Sequence, residues 1–99
     1  MRYGHVGTFR VRPGHRRGVV DRLVEGSERL RRFGCLQYAV CEADDDEDGI
    51  VVLELWESRT HHDASLADPA VRAGIAETMP LLTGEFGSRA LTVVGGLGT

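Results

Sequence analysis

Residues 50–66 read Ile50-Val51-Val52-Leu53-Glu54-Leu55-Trp56-Glu57-Ser58-Arg59-Thr60-His61-His62-Asp63-Ala64-Ser65-Leu66. The first half is apolar and rich in β-branched residues, which predicts a strand over Ile50–Glu57. Alternation places Val52, Glu54 and Trp56 on one face and Val51, Leu53 and Leu55 on the other. A sheet with helices on one side normally turns polar side chains to the other side. This strand is apolar on both faces, so both faces need a cover. Helices supply one. A partner subunit is the simplest source of the second, which predicts a homodimer packed sheet against sheet. The second half starts a helix. Thr60 reads as its N-cap and Asp63 as the N3 acid of a capping box.

Upstream, Arg2–Arg12 alternates with Tyr3, His5, Gly7, Phe9 and Val11 on one face, a strand closed by Pro13-Gly14. The period then lengthens. Val20, Leu23, Val24, Ser27 and Leu30 follow helical spacing between His15 and Phe33, with Val19 and Phe33 at the stripe's margins and Gly34 as the stop. Cys35–Ala43 is a second strand, joined to the third by the acidic loop Asp44–Gly49 as a hairpin. Downstream, Asp68-Pro69 starts another helix. It is expected to bury Val71, Ile75, Met79 and Leu82. Arg89–Gly95 is the last strand, with a loose Gly-rich tail from about residue 95. The order is β-α-β-β-α-β with the second α in two pieces. That predicts one α+β domain over residues 1–99, a ferredoxin-like antiparallel sheet.

Composition narrows the function classes. The chain has 99 residues, 41% hydrophobic and 27% charged, with a net charge of −3. All basic side chains are Arg, and those of the first helix alternate with Asp21, Glu25 and Glu28. Such a face is solvated and offers no nucleic-acid surface. No apolar run approaches the roughly 20 residues of a membrane span. The N-terminus has no signal-peptide pattern, so a cytoplasmic protein is expected. Cys35 and Cys41 lie on one strand, too far apart to bond, and read as buried reduced thiols. Asp44, Asp46, Asp48 and Gly49 match the first half of a calcium loop. The acid at position twelve is replaced by Leu55, so the loop reads as a solvated turn.

A few residues carry chemistry. His62, near a helix start where the dipole favours a neutral imidazole, is the first choice of base. His61 points about 100° away. Adjacent helix positions diverge and no third ligand has matching spacing, so no metal site is expected. Glu54 is an acid within an apolar strand, either catalytic or paired with Arg89 or Arg10. Trp56 offers an aromatic wall, and Tyr38 and His5 reach the same side from neighbouring strands.

Gly34-Cys35-Leu36-Gln37-Tyr38 followed by Leu53-Glu54-Leu55-Trp56-Glu57-Ser58, in this element order, resembles the antibiotic biosynthesis monooxygenase superfamily of dimeric α+β barrels. Pro80-Leu81-Leu82 and Val94-Gly95-Gly96 resemble the ending of small quinol-type members. The resemblance covers nearly the whole chain. It implies oxidation of a small aromatic quinol or phenol by O₂ as co-substrate, with no metal or flavin. It also implies a homodimer and no membrane or nucleic-acid partner. Phenol-oxidising members match at Trp56. They carry Asn where this chain has Val52 and Tyr where it has His62. Quinol-type members carry His where it has Ser65, and haem-degrading members Asn where it has Gly7, which argues against haem degradation. On the same scaffold, an isomerase or lyase moving a proton without O₂ and a non-catalytic binding module remain open.

Overall fold

The strands β1 (Arg2–Val11), β2 (Cys35–Glu42), β3 (Gly49–Trp56) and β4 (Leu82–Val93) form one antiparallel sheet in the order β2-β3-β1-β4. Helices α1 (Arg16–Ser27), α2 (Arg59–Ser65) and α3 (Pro69–Thr78) complete the expected β-α-β-β-α-β order. The structure is a computed structural model and describes every residue from Met1 to Thr99. The fold is α+β and ferredoxin-like, and within one chain the sheet is open. None of its helices is long and apolar enough to cross a membrane.

The main core forms where α1 meets the helix-side face of the sheet. Val11, Val19, Ile50, Val52 and Leu82 are buried together there, with Phe9, Leu23 and Val40 at the margin. Val52 and Trp56 are buried and Glu54 lies between them, half-buried, as the alternation predicts. The opposite face keeps Leu53 at 45% and Leu91 at 41% exposure, so within one chain it has no full cover.

Several boundaries differ from the sequence reading. The first helix leaves α geometry at Ser27 and continues as a 3-10 turn over Glu28–Phe33. Val19, expected at the stripe's margin, sits at its centre, while Val24 is turned to solvent. α2 starts two residues early. Ser58, not Thr60, is its N-cap, extended in conformation and accepting from the His61 N–H at 3.2 Å. Either hydroxyl suits a cap; the chain leaves β3 at Trp56, which brings Ser58 to the turn first. α3 turns Ile75 and Met79 half-exposed, and the buried residue is Thr78, whose hydroxyl donates to Gly74 O at 2.9 Å. β4 is longer than expected, because pairing with β1 begins at Val11↔Leu82. The tail is held rather than loose: Gln37 on edge strand β2 donates to Gly98 O at 3.0 Å, far from the end of β4 at the other edge. Cys35 and Cys41 are unbonded, as expected, but half-buried rather than buried.

The acidic loop closes around arginines. Arg16 donates to Ala43 O, Asp46 O and Gly49 O at 3.1, 2.8 and 3.4 Å. Arg10 grips the Asp46 carboxylate at 2.8 Å and holds it below the usual carboxylate range. Guanidinium groups therefore do the neutralising that a calcium ion would do in a cation loop.

Gly34 joins the first helical segment to β2 and lies against His61 of α2. Its φ of +93° is left-handed, and its N–H closes the turn on Leu30 O and Arg31 O. A Cβ there would stand 2.7 Å from His61 Cδ2, and that ring is pinned by Ser58 Oγ at 2.6 Å. Gly34→Ala is expected to cost about 1–2 kcal/mol for the backbone alone, with a further loss from displacing His61. Urea unfolding checks it; an unchanged midpoint would show that the turn relaxes freely.

Candidate active site

Cross-strand register builds the site. On the helix-side face, β1 places His5 opposite Glu54 of β3, and β2 places Tyr38 opposite the same Glu54. The next row places Tyr3 opposite Trp56. Directly opposed side chains on one face lie close enough to interact. His5 Nδ1 accordingly stands 3.2 Å from Glu54 Oε2, and Trp56 Nε1–H donates to Glu54 Oε1 at 2.9 Å. Glu54 thus has both oxygens held by neutral-capable donors. The expected pairing with Arg10 or Arg89 does not form, because Arg10 is taken by Asp46 and Glu85 at the far end of the strands.

α2 lowers His62 onto this patch. Its ring stacks on His5 at 5.1 Å between centroids, lies 5.1 Å from the Tyr3 ring, and meets the Trp56 ring edge-on at 5.3 Å. His62 Nδ1 sits 2.9 Å from Asp63 Oδ1. With Ser58 as the cap, His62 is the fourth helical residue rather than the second, so the dipole argument for its neutrality loses its basis. His61 turns away to Ser58 and is exposed, as the sequence predicts.

Two neighbours are tuned by this patch. Burial, and then the charge of Glu54, raise the Tyr38 phenol well above the ordinary tyrosine range. Tyr38 is therefore a lasting hydrogen-bond donor. The same causes, in the same order, push the Cys35 thiol up to about 11, which makes it a poor nucleophile at neutral pH.

His5, Tyr38, Val52 and Glu54 form part of the wall of an open cleft of about 660 Å³ between the sheet and helices α1 and α3. Its other walls are mostly apolar: Phe9, Leu23, Leu30, Val71, Ile75, Met79, Leu82 and Phe86. The apolar period of α3 predicts core packing, whereas these residues line a cleft. The signal that could have found them is Gly26 and Gly74, which face the cleft and whose absent Cβ atoms would meet nothing within 4 Å. Polar groups stand among them, with Arg22 and Glu77 paired at 3.6 Å between the two helices. The volume falls within the roughly 300–1,000 Å³ of small-molecule sites.

The candidate residues therefore separate. His5, Glu54, Tyr38 and Val52 reach the cleft. Trp56 is buried at 1% exposure and lies behind the lining, where it orients Glu54. His62 also lies outside the lining, against His5. Ser65 is buried, with its hydroxyl donating to His62 O at 2.6 Å. One ligand-capable atom from each of His5, Glu54 and His62 lies within 4.8 Å of the others. The adjacent histidines diverge as expected; the companions of His62 come from two strands, which spacing along the chain does not reveal.

The family model for antibiotic biosynthesis monooxygenase matches residues 2–77. Among solved structures, the chain is similar to a Chloroflexus aurantiacus protein ascribed to the antibiotic biosynthesis monooxygenases, with 35% identity, 99% of this chain and 100% of that one covered, and a TM-score of 0.80. Rv0793 from Mycobacterium tuberculosis is similar at 22% identity, with 98% and 99% covered and a TM-score of 0.83. A Caulobacter crescentus protein with the same ascription is similar at 22% identity, with 95% and 91% covered and a TM-score of 0.86. The latter two likenesses speak to the fold. No curated protein matches the chain.

Proposed function

The chain belongs to the antibiotic biosynthesis monooxygenase family, and from that premise we propose that it oxidises a small aromatic quinol or phenol with O₂, using a proton acceptor on the sheet and no bound cofactor. The observation that carries this reading is the hydrogen-bonded His5–Glu54 pair in the wall of a cleft that also presents apolar side chains such as Phe9, Leu23, Ile75 and Phe86. Such a reaction asks for three things: a flat apolar site, a base, and little water around reactive intermediates. The apolar side chains of the cleft suit the first, and the His5–Glu54 pair suits the second.

In this reading the His5–Glu54 pair takes the phenolic proton. Tyr38, kept as a phenol, donates a hydrogen bond to the oxygen left behind. The phenolate passes an electron to O₂, and recombination of the two radicals joins O₂ to a ring carbon as a peroxide. Loss of the C–H proton at that carbon breaks the O–O bond, which leaves one oxygen on carbon as a carbonyl and releases the other, once protonated, as water, with all four electrons coming from the substrate. His62, first expected to be the base, becomes the residue that holds His5 in place by stacking. Trp56 fixes the Glu54 carboxylate rather than forming the substrate wall. We further propose a homodimer in which a second copy covers the open sheet face at Leu53 and Leu91. A solution mass equal to one chain at micromolar concentration would count against that dimer.

Oxygen-electrode assays with an anthrone and with a reduced naphthoquinone test the reaction. Uptake above autoxidation is expected, with water and an oxygenated product: anthraquinone from the anthrone and a hydroxynaphthoquinone from the quinol. Turnover that is equal under nitrogen would replace this reading with proton transfer alone.

A further inference from the structure

We infer that His5, Glu54 and His62 together bind one first-row divalent cation of the Zn²⁺ or Co²⁺ type, a property separate from the oxidation proposed above. The observation is the meeting of two imidazoles and one carboxylate, drawn from β1, β3 and α2, with a donor atom of each within 4.8 Å of the others. A tetrahedral ion with bonds of about 2.0–2.2 Å needs its ligand atoms closer than this, roughly 3.3 Å apart. Modest side-chain rotation closes that gap, and His5 Nδ1 and Glu54 Oε2 already stand 3.2 Å apart.

The surrounding groups suit ligation. Asp63 Oδ1 at 2.9 Å occupies Nδ1 of His62, which leaves Nε2 to act as the lone-pair donor. This carboxylate–histidine arrangement is the usual outer-shell support of a metal-binding imidazole. Trp56 Nε1–H holds the other Glu54 oxygen, Oε1, at 2.9 Å and leaves Oε2 available. The side chains of His5, Glu54 and His62 are 20%, 12% and 12% exposed, so the donors are shielded without being sealed. Arg59 is drawn to the far oxygen of Asp63 at 3.8 Å and lies over the Tyr3 ring. Two His and one carboxylate suit Zn²⁺, Co²⁺ or Fe²⁺ rather than Mg²⁺ or Ca²⁺, which favour all-oxygen sites. Three protein ligands leave a fourth position open. That position would take a water, a carboxylate or a phenolate oxygen, and His5 and Glu54 line the cleft from which such a group would come. The ion would engage the lone pairs that the proposed proton transfer uses, so metal-free and metal-loaded protein differ in chemistry.

Cobalt titration of EDTA-treated protein is the test, read by visible absorption and by calorimetry rather than by turnover. One equivalent per chain with a visible Co²⁺ band is expected. Glu54→Gln and His62→Gln should each weaken binding by more than the 10–100-fold that outer-shell partners typically contribute. His15→Ala and His61→Ala should leave it unchanged. Circular dichroism establishes that each variant is folded; His62→Gln, on a short surface helix, keeps the test available should Glu54→Gln unfold. Absence of a band at about 1 mM Co²⁺, an affinity in folded Glu54→Gln or His62→Gln that stays within about tenfold of the parent's, or a band lost in His61→Ala or His15→Ala would overturn the inference. Because binding is read without substrate, its failure leaves the oxidation reading untouched, and the reverse holds too.

Discussion

Trp56→Ala is expected to lose about 3–5 kcal/mol of stability, the largest loss from any single side chain in this protein. A domain of this size has about 5–15 kcal/mol in total. The indole is 1% exposed and is the largest fully buried side chain. Its removal opens a cavity beside Tyr3 and His62 and takes the N–H from Glu54 Oε1. Burying a carboxylate oxygen without its partner adds to the cavity term. Trp56→Phe separates the two. It retains most of the ring and loses only the donor, so it should cost about 1–3 kcal/mol. Urea titration with an unchanged m-value checks both. If Trp56→Ala unfolds within about 1 kcal/mol of the parent protein, the indole does not seal this end of the sheet.

Glu54→Gln is expected to lower the O₂-consumption kcat by about 10²–10⁴-fold, the usual contribution of a positioned base. That is about 3–5 kcal/mol of transition-state free energy. The amide keeps the shape of the side chain and can still accept from Trp56, so the fold should survive while proton affinity is lost. His5→Gln should behave similarly, since His5 shares the cleft wall and the hydrogen bond with Glu54. His62→Phe should differ. A phenyl ring can preserve the stack on His5 without offering a nitrogen, so kcat should fall by less than about tenfold with KM nearly unchanged. A His62→Phe loss as deep as that of Glu54→Gln would return the role of base to His62. Equal turnover in all three variants would remove the patch from the chemistry.

How much of this was legible beforehand varies with range along the chain. Strand alternation is a property of neighbouring residues, so the faces of β1 and β3 follow from the sequence: Tyr3 and His5 fall with Phe9, and Val52, Glu54 and Trp56 fall together. The αL stop at Gly34 and the Asp68 cap before Pro69 are likewise local, and both form as expected. Choice between nearby caps is less local. Thr60 and Ser58 carry equivalent hydroxyls, and the exit of the chain from β3 selected Ser58. That shift moved His62 two positions deeper into its helix and changed the argument for its chemistry. The apolar stripe of α3 has the period of a core helix, yet Ile75 and Met79 are half-exposed, because small residues on α1 and α3 leave a cleft where the sequence implied close packing.

Element types, their order, the family and the sidedness of the strands can therefore be read along the chain. These depend on torsional preference and on the periodicity of a few adjacent residues. Which polar groups meet depends on how distant segments pack. The row His5–Glu54–Tyr38 depends on the register of three strands, and the separation of 49 residues between His5 and Glu54 carries no trace of it. Arg10, equally able to pair with Glu54 by charge, lies five residues along β1 from His5, at the opposite end of the sheet. Strand geometry extends by about 3.3 Å per residue, so that offset is beyond a side chain's reach. The electrostatics of the site follow from that distance: Glu54 faces imidazoles and an indole, not a guanidinium.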